Sequence, residues 1–240
     1  MLDWHINCTG VTGDQNNTID WRRRSVRTAI ITILLFAISI SLAHCDVLVT
    51  STFDNDDEGW RIVGDAQQGS SKPSWSAENG NPGGHIYAKD DVLGGVFYWL
   101  APEKFLGDKS GAYGYTLDFD LKQSIANTQF DSDDIIITGG GITIKYDTSY
   151  NPGTDWTHYS VLLATDAGWM RDSSAATYED ITTVLSSISS IQIRAEYRTG
   201  ADTDYLDNVV LYGAVPEPGS IFGVASGLGI ALASFIRRRK

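Results

Sequence analysis

Tyr115-Thr116-Leu117-Asp118-Phe119-Asp120-Leu121 alternates strictly between apolar and polar side chains. In an extended strand every second side chain points to the same face, so the four apolar residues would share one buried face. The same alternation recurs from Ile191 to Tyr197. A period of two is typical of antiparallel strands with one face buried, and it predicts an all-β protein.

Further strands are predicted where short apolar runs lie between turn-forming clusters such as 79–84 and 151–153. They are Val47–Phe53, Gly95–Leu100, Ile135–Thr138, Ile142–Tyr146, Tyr159–Ala164 and Tyr205–Tyr212. Eight or nine short strands with this punctuation indicate an antiparallel β-sandwich. One short helix is also expected, because Thr177 and Asp180 have the spacing of a capping box before an apolar face.

The C-terminal 26 residues predict a membrane-dependent sorting signal. Val215, Pro216, Glu217 and Pro218 precede an uncharged run from Gly219 to Ile236, and the chain ends with Arg237, Arg238, Arg239 and Lys240. As a helix the run would measure about 27 Å, close to the hydrocarbon thickness of a bilayer. The four cations would stay on the cytoplasmic side. This order resembles the bacterial PEP-CTERM signal, which implies processing by an exosortase; an ordinary membrane anchor is the alternative.

The N-terminal region predicts export. Arg22-Arg23-Arg24 and Arg27 precede an uncharged run from Thr28 to Ala43, which is typical of a signal peptide cut by signal peptidase, here before Asp46. A lipoprotein signal ending at Cys45 is the alternative. The chain is therefore divided into an extension with signal peptide (1–45), a β-sandwich (46–213), and a sorting signal with transmembrane helix and basic tail (214–240).

The excess negative charge lies in the exported domain. Residues 46–213 hold 26 of the 30 acidic residues and ten of the 18 basic ones, a formal charge of −16. Such a surface repels nucleic acid and favours cations and solubility. Both cysteines, Cys8 and Cys45, precede the predicted cut. The domain must then be held together by packing or by metal ions and not by disulfides.

Clusters along the domain carry a family resemblance through their order and spacing. They are Gly59-Trp60, Tyr98-Trp99-Leu100-Ala101-Pro102, Phe105-Leu106-Gly107-Asp108, Tyr113-Gly114, Trp156, Tyr159, Trp169, Ala176-Thr177, Ile193-Arg194-Ala195-Glu196-Tyr197 and Leu206-Asp207-Asn208-Val209. Over residues 53–211 the sequence resembles the laminin B type module, also called laminin domain IV. The resemblance implies a jelly-roll β-sandwich, related in shape to carbohydrate-binding modules, that acts in extracellular assemblies.

The large aromatic side chains of these clusters are predicted to form the core. Tyr98, Trp99, Trp156 and Trp169 can each bury about 150–250 Å². Arg194 and Glu196 fall on the polar face of their predicted strand, within reach of a cross-strand partner. A platform for stacking sugars would instead need aromatic side chains that face solvent on a concave surface.

The domain lacks the residue patterns of common catalytic sites. It contains no cysteine and only two histidines, His85 and His158, which are predicted to be surface or loop residues. No H-E-x-x-H or G-x-S-x-G pattern occurs, and Gly139-Gly140-Gly141 is not followed by a lysine. We therefore predict a non-enzymatic protein. A secreted hydrolase, the alternative, would need a pair of acidic residues lining a cleft.

Calcium is the predicted ligand of the acidic segment 54–58, because hard cations prefer oxygen ligands. Asp54 follows the first predicted strand and Asp207 lies in the last. First and last strands are often neighbours in jelly-roll modules, so these two residues are the predicted ligands, ahead of Asp56. The alternative is a hydrated acidic turn.

Together these features predict an exported, non-enzymatic protein of a Gram-negative bacterium. After an inner-membrane intermediate it would be sorted by exosortase to the cell surface, outer membrane or extracellular matrix. Its predicted work is adhesion or binding of polysaccharide or matrix. A purely structural surface protein, whose acidic face keeps the matrix hydrated, is the alternative.

Overall fold

The computed structural model describes residues 45–65, 71–90 and 94–214. Apart from Cys45, the predicted signal peptide lies outside these residues. The sorting motif from Val215 to Pro218, the predicted transmembrane run from Gly219 to Ile236 and the basic tail also lie outside them. Within the described part of the chain no helix is both long and apolar enough to span a membrane. What is described is a sandwich of two antiparallel sheets, as the alternating sequence pattern predicts.

The first sheet is organised around the last strand. β13 (Asp202–Ala214) pairs with β6 (Thr116–Gln123) on one side. On its other side it pairs first with β4 (His85–Asp90) and then with β1 (Cys45–Ser51). β3 (Ser74–Ser76) extends the sheet beyond β4, and β9 (Thr157–Leu162) extends it beyond β6. The first and last strands are therefore neighbours, as the sequence predicts.

The second sheet contains seven strands. In spatial order they are β11 (Ser174–Ala175), β10 (Met170–Arg171), β8 (Ile142–Tyr146), β7 (Ile135–Gly139), β12 (Ile188–Arg194), β5 (Phe97–Leu100) and β2 (Arg61–Gly64). The predicted strands all occur, with bounds shifted by a few residues. The short strands β2, β3, β10 and β11 and the six-residue strand β4 were not predicted.

The core lies between the two sheets. Leu117, Phe119 and Leu121 of β6 face inward and are buried, which confirms the face assigned to them from the alternation. From the opposite sheet Trp99 and Ile193 are fully buried in the same core. Trp99 meets Phe97 edge to face, with ring centroids 6.0 Å apart. Large apolar side chains from both sheets therefore fill the interior.

The predicted helix is α1 (Tyr178–Ser186). Its capping box is present, since the Asp180 N–H donates to Thr177 Oγ1 and the Thr177 N–H donates to the Asp180 carboxylate. Ile181 and Leu185 are buried beneath it. Tyr178 is 60% exposed because it begins the helix at the surface, where its ring meets that of Tyr113.

Four sequence predictions about burial are wrong. Tyr98 is half-buried because it alternates with the buried Phe97 and Trp99 along β5 and so faces away from the core. Trp156 is half-buried on the outer face of the first sheet because it precedes β9 and packs against outward-facing rings. His85 is buried because it lies inside β4 among aromatic neighbours. Arg194 is buried as the partner of Asp134 in an ion pair, and Glu196 is buried just beyond the end of β12.

Candidate functional site

An open pocket of about 570 Å³ lies on the outer face of the first sheet. The strands β3, β4, β6 and β13 supply most of its lining, and the turn after β3 supplies the rest. The lining residues are Ser76, Asn79, His85, Tyr87, Lys122, Thr203 and Tyr205. In β13 the outward Thr203 and Tyr205 alternate with inward residues, so the same period of two that builds the core also builds the pocket.

Aromatic rings form the centre of this surface. Tyr87 and Tyr205 are cross-strand neighbours with ring centroids 6.1 Å apart. The indole of Trp156 lies 6.3 Å from Tyr205 and 5.8 Å from His85, edge to face in both cases. The Trp156 Nε1–H donates to the Asn79 carbonyl oxygen (3.2 Å), which ties the indole to the turn after β3. The result is a group of rings held by the sheet on one side and by a loop on the other.

Lys122 brings a positive charge into the same group. Its Nζ lies 4.9 Å from the centroid of Tyr205 and 5.4 Å from that of Trp156, within the range of cation–π attraction. Burial lowers the pKa of His85, and the charge of Lys122 lowers it further. The imidazole of His85 is therefore neutral at pH 7, with one nitrogen that donates and one that accepts a hydrogen bond.

The pocket can bind a ligand that has both an apolar face and polar edges. The rings of Tyr87 and Tyr205 line the pocket and supply apolar surface, with the indole of Trp156 packed beside Tyr205, and Asn79, Lys122 and Thr203 supply polar groups. All of these rings lie on or beside the first sheet. The pocket is therefore formed by the outer surface of β4, β13 and β6.

His158 lies on the same outer face as the pocket but outside its lining. Its Nδ1 is 2.7 Å from Asp120 Oδ1, and its side chain is 60% exposed, as expected of a surface histidine. Ser160 Oγ donates to Asp118 Oδ1 (2.8 Å) and not to the imidazole. The hydroxyl therefore donates to a carboxylate and not to the imidazole, so Ser160 and His158 do not form a nucleophile–base pair.

The predicted calcium ligands lie at the end of the first sheet, against the glycine-rich turn 79–84. A methyl group built on Gly83 would be 2.7 Å from Asp54 Oδ1, and one built on Gly80 would be 2.7 Å from Asp207 Oδ2. Asp54 is exposed and accepts a hydrogen bond from Thr52 Oγ1 (2.8 Å), whereas Asp207 is fully buried. The fold therefore brings both residues to one turn.

The Asp207 carboxylate is already hydrogen-bonded within the protein. Its Oδ2 accepts from the Asn81 N–H (2.6 Å) and its Oδ1 from the Asn208 N–H (2.7 Å). The pKa of Asp207 is raised to about 7, mainly by burial and in addition by the charges of Asp120 and Asp54. The two hydrogen bonds act in the opposite direction and lower it. In the described ranges no three His, Cys, Asp or Glu side chains are grouped so as to hold a metal ion. A cation at this turn would need backbone or amide oxygens beside the two carboxylates.

The sequence interpretation missed Tyr87, Tyr205, Lys122 and His85 as site residues. The available indication was the alternation in β13, where Thr203 and Tyr205 occupy the face opposite Leu206. In β4 the alternation is blurred because His85 and Ile86 are both buried. Only the pairing of β4 with β13 brings Tyr87 and Tyr205 together, and that pairing joins residues more than 100 positions apart.

The profile of the Laminin B (Domain IV) family matches residues 98–226, more than half of the chain. This chain belongs to the laminin B family. Laminin subunit gamma-1 of Danio rerio is 31% identical to this chain over 180 residues, which cover 72% of the chain and 10% of that protein. The same subunit of Homo sapiens is also 31% identical over 180 residues, covering 71% of the chain and 10% of the subunit. The chain spans about a tenth of the length of these relatives.

A solved structure shows the same fold. The L4b domain of human laminin alpha-2 superposes on this chain with a TM-score of 0.58 at 19% identity, covering 70% of the chain and 98% of that domain. Family membership confirms the predicted laminin B type module and β-sandwich.

Proposed function

We propose that this laminin B domain is an exported binding module that holds a segment of polysaccharide in the aromatic pocket of its first sheet. The observation that carries the proposal is the group formed by Tyr87, Tyr205 and Trp156, all half-buried and turned outward. Aromatic side chains that remain partly exposed in a rigid sheet are available to a ligand without a rearrangement of the core.

A sugar ring matches the chemistry of this pocket. Its C–H faces are apolar and pack on aromatic rings, while its hydroxyl groups both donate and accept hydrogen bonds. Lys122 can donate to such a hydroxyl, and the Asn79 amide can do both. The pocket is open along the sheet and not enclosed, which suits a segment of a longer chain.

Export and sorting belong to the same proposal. The laminin relatives are extracellular proteins, and the terminal sequences supply a route: signal peptidase acts before Asp46, and an exosortase acts near Val215–Pro218 of a Gram-negative cell envelope. The membrane holds the protein only before processing. The mature protein then works at the cell surface, at the outer membrane or in the extracellular matrix, in adhesion or matrix binding.

A structural calcium ion between Asp54 and Asp207 is a further part of the proposal. The two carboxylates meet the same glycine-rich turn, and the charge of Asp54 acts on Asp207. The carbonyl oxygens of Gly83 and Gly84 belong to the same turn and lie next to Gly80. Carbonyl oxygens are among the ligands that calcium accepts. The ion would stabilise the junction of the first and last strands.

The experiment that tests the function is a glycan array probed with the purified protein, with soluble products analysed in parallel. Dose-dependent binding to a polysaccharide supports the proposal. The absence of binding to any polysaccharide contradicts it and favours a purely structural surface protein. Released oligosaccharide would contradict the non-enzymatic assignment and point to a hydrolase. Repeating the array with Tyr178→Ala, a substitution of an exposed tyrosine on α1, controls for non-specific effects of removing an aromatic ring.

A further inference from the structure

Four acidic side chains are turned into the interior of the sandwich at the end where β13 begins. Asp90 of β4, Asp202 and Asp204 of β13, and Glu196 after β12 are only 1%, 6%, 1% and 3% exposed. Asp90 and Asp202 are directly opposite each other in the β4–β13 pairing. Like charges at such positions destabilise a strand pair, so this arrangement depends on how many of the four groups are ionised.

The acidic cluster is defined as Asp90, Glu196, Asp202 and Asp204. Among the described residues, few hydrogen-bond donors and little positive charge reach the last three of these side chains. Gln123 Nε2 donates to Asp204 Oδ1 (3.1 Å) and to Asp202 Oδ2 (3.4 Å). Three oxygen atoms are buried without a hydrogen-bond partner in the described protein: Glu196 Oε2, Asp202 Oδ1 and Asp204 Oδ2. The charge of Arg198 acts on Asp202, while that of Asp65 adds to the negative charge around Glu196.

Around Glu196, Asp202 and Asp204, acidic groups outnumber the hydrogen-bond donors and positive charges that the described residues supply. These carboxyl groups therefore keep their protons to a higher pH than exposed carboxyl groups do. The pKa of Glu196 is raised to about 7, mainly by burial and in addition by the charge of Asp90. Burial also raises the pKa of Asp202 to about 6, although Arg198 opposes the change. The pKa of Asp204 is well above its ordinary value because of burial and the neighbouring Asp202. Protonation gives each carboxyl an O–H that can donate to a neighbouring carboxylate.

We propose that the acidic cluster is a proton-operated latch, which holds β4 against β13 while its carboxyl groups are protonated and loosens this strand pair when they ionise. The evidence is the direct opposition of Asp90 and Asp202, the burial of all four side chains and the three oxygen atoms without partners. Ionisation would place several like charges in a dry interior, where their repulsion is strongest.

The latch acts on the same strands that carry the pocket. Along β13 the inward Asp202 and Asp204 alternate with the outward Thr203 and Tyr205, and along β4 the inward Asp90 shares its strand with the outward Tyr87. Loosening this strand pair separates Tyr87 from Tyr205. The consequence for ligand binding rests on the proposed function, whereas the change in the strand pair does not.

The direction of the pH effect follows from the raised pKa values. A carboxyl group whose pKa is higher in the folded than in the unfolded protein contributes its full stability below the unfolded value, near 3.8 for Asp and 4.5 for Glu. That stability is lost as the pH rises through about 6 to 7 and beyond. The latch is therefore closed near pH 5 and open near pH 8.5.

Hydrogen–deuterium exchange of the purified protein in chelator tests the latch without any ligand. After correction for intrinsic exchange rates, protection of residues 85–90 and 202–206 should fall by about tenfold or more between pH 5 and pH 8.5, since one pKa unit corresponds to a tenfold change. Protection in β7 and β8 should change much less. Asp204→Asn, which keeps the shape and the acceptor for Gln123, should reduce this pH dependence because it removes the charge beside Asp202, whereas Asp118→Asn on the outer face of β6 should leave it intact.

Three outcomes would overturn the latch. The first is equal protection of the β4–β13 pair at both pH values. The second is an undiminished pH effect in Asp204→Asn. The third is recovery of protection at pH 8.5 when millimolar calcium is added to Asp207→Asn, which lacks the proposed Asp54–Asp207 calcium site, because the cluster would then be a metal site and not a proton site. None of these results depends on polysaccharide binding. A protein that passes the exchange test but binds no glycan would keep the latch and lose the proposed function.

Discussion

Tyr87 and Tyr205 face each other across the β4–β13 pair, with ring centroids 6.1 Å apart and ring planes inclined by 34°. Three residues further along β4, at the same strand pair, Asp90 and Asp202 meet on the opposite face. One pair of strands thus presents an aromatic surface to solvent and an acidic cluster to the interior. Burial of carboxyl groups costs free energy. The acidic inner face therefore limits the stability of the strand pair that carries the aromatic outer face.

The core prediction concerns Trp99, which is 0% exposed in β5 and meets Phe97 edge to face. Trp99→Ala should lower the free energy of unfolding by about 3–5 kcal/mol through lost contacts and a cavity. Urea denaturation measures this loss. Tyr178→Ala, at a site 60% exposed, is the matched control and should cost less than about 1 kcal/mol. A melting temperature for Trp99→Ala within about a degree of wild type would contradict the assigned core.

A second stability prediction concerns the buried ion pair of Arg194 and Asp134, with Nη1 and Oδ1 3.3 Å apart. The guanidinium also donates to the carbonyl oxygens of Phe130, Ser132 and Glu196. Arg194→Met should cost about 3–5 kcal/mol, because it leaves the Asp134 carboxylate buried without its charged partner. Adding Asp134→Asn should recover part of that loss. Equal unfolding free energies of the single and double variants would show that the two charges are not coupled.

The calcium prediction is measured by melting in chelator, magnesium and calcium. Binding to the folded state alone stabilises it by about 2.7 kcal/mol at a hundredfold excess over Kd, so calcium should raise the melting temperature by several degrees. Magnesium should do much less, since it demands a stricter geometry. Asp207→Asn should remove most of the shift, and Asp56→Asn should remove little. The same melting temperature in all three solutions would leave the segment 54–58 as a hydrated turn.

The sorting prediction is tested by intact-mass analysis of protein released from the cell surface. The mature chain should begin near Asp46 and should lack the segment from Gly219 to Lys240. Recovery of the full-length chain in the inner membrane alone would contradict exosortase processing and favour a plain membrane anchor.

Much of the fold could be predicted because the relevant information is local. The alternation at Leu117, Phe119 and Leu121 identified β6 and its buried face, and the spacing of Thr177 and Asp180 identified the start of α1. Both patterns involve residues a few positions apart, where backbone geometry alone decides which side chains share a face. The short edge strands β2 and β3 carry too few residues to show a period.

The candidate site could not be predicted in the same way, because outward and inward aromatic residues look alike in sequence. Trp99 is core and Trp156 is surface, yet both belong to clusters of the same family resemblance. In β13 the polarity pattern is inverted: Asp204 faces the interior and Tyr205 faces solvent. A prediction from hydrophobicity alone would place Tyr205 inside and Asp204 outside. It does not include the cross-strand partners that pack against Tyr205 on the outer face of the sheet.

The most direct measurement is the affinity of wild type, Tyr205→Ala and Tyr178→Ala for the polysaccharide that the glycan array identifies, by isothermal titration at pH 6. Tyr205 contacts Tyr87, Trp156 and Lys122, so its loss should weaken binding at least about tenfold, or about 1.4 kcal/mol. Tyr178→Ala should bind like wild type. Equal affinity of wild type and Tyr205→Ala would contradict the account, because the ligand would then lie somewhere other than the aromatic pocket.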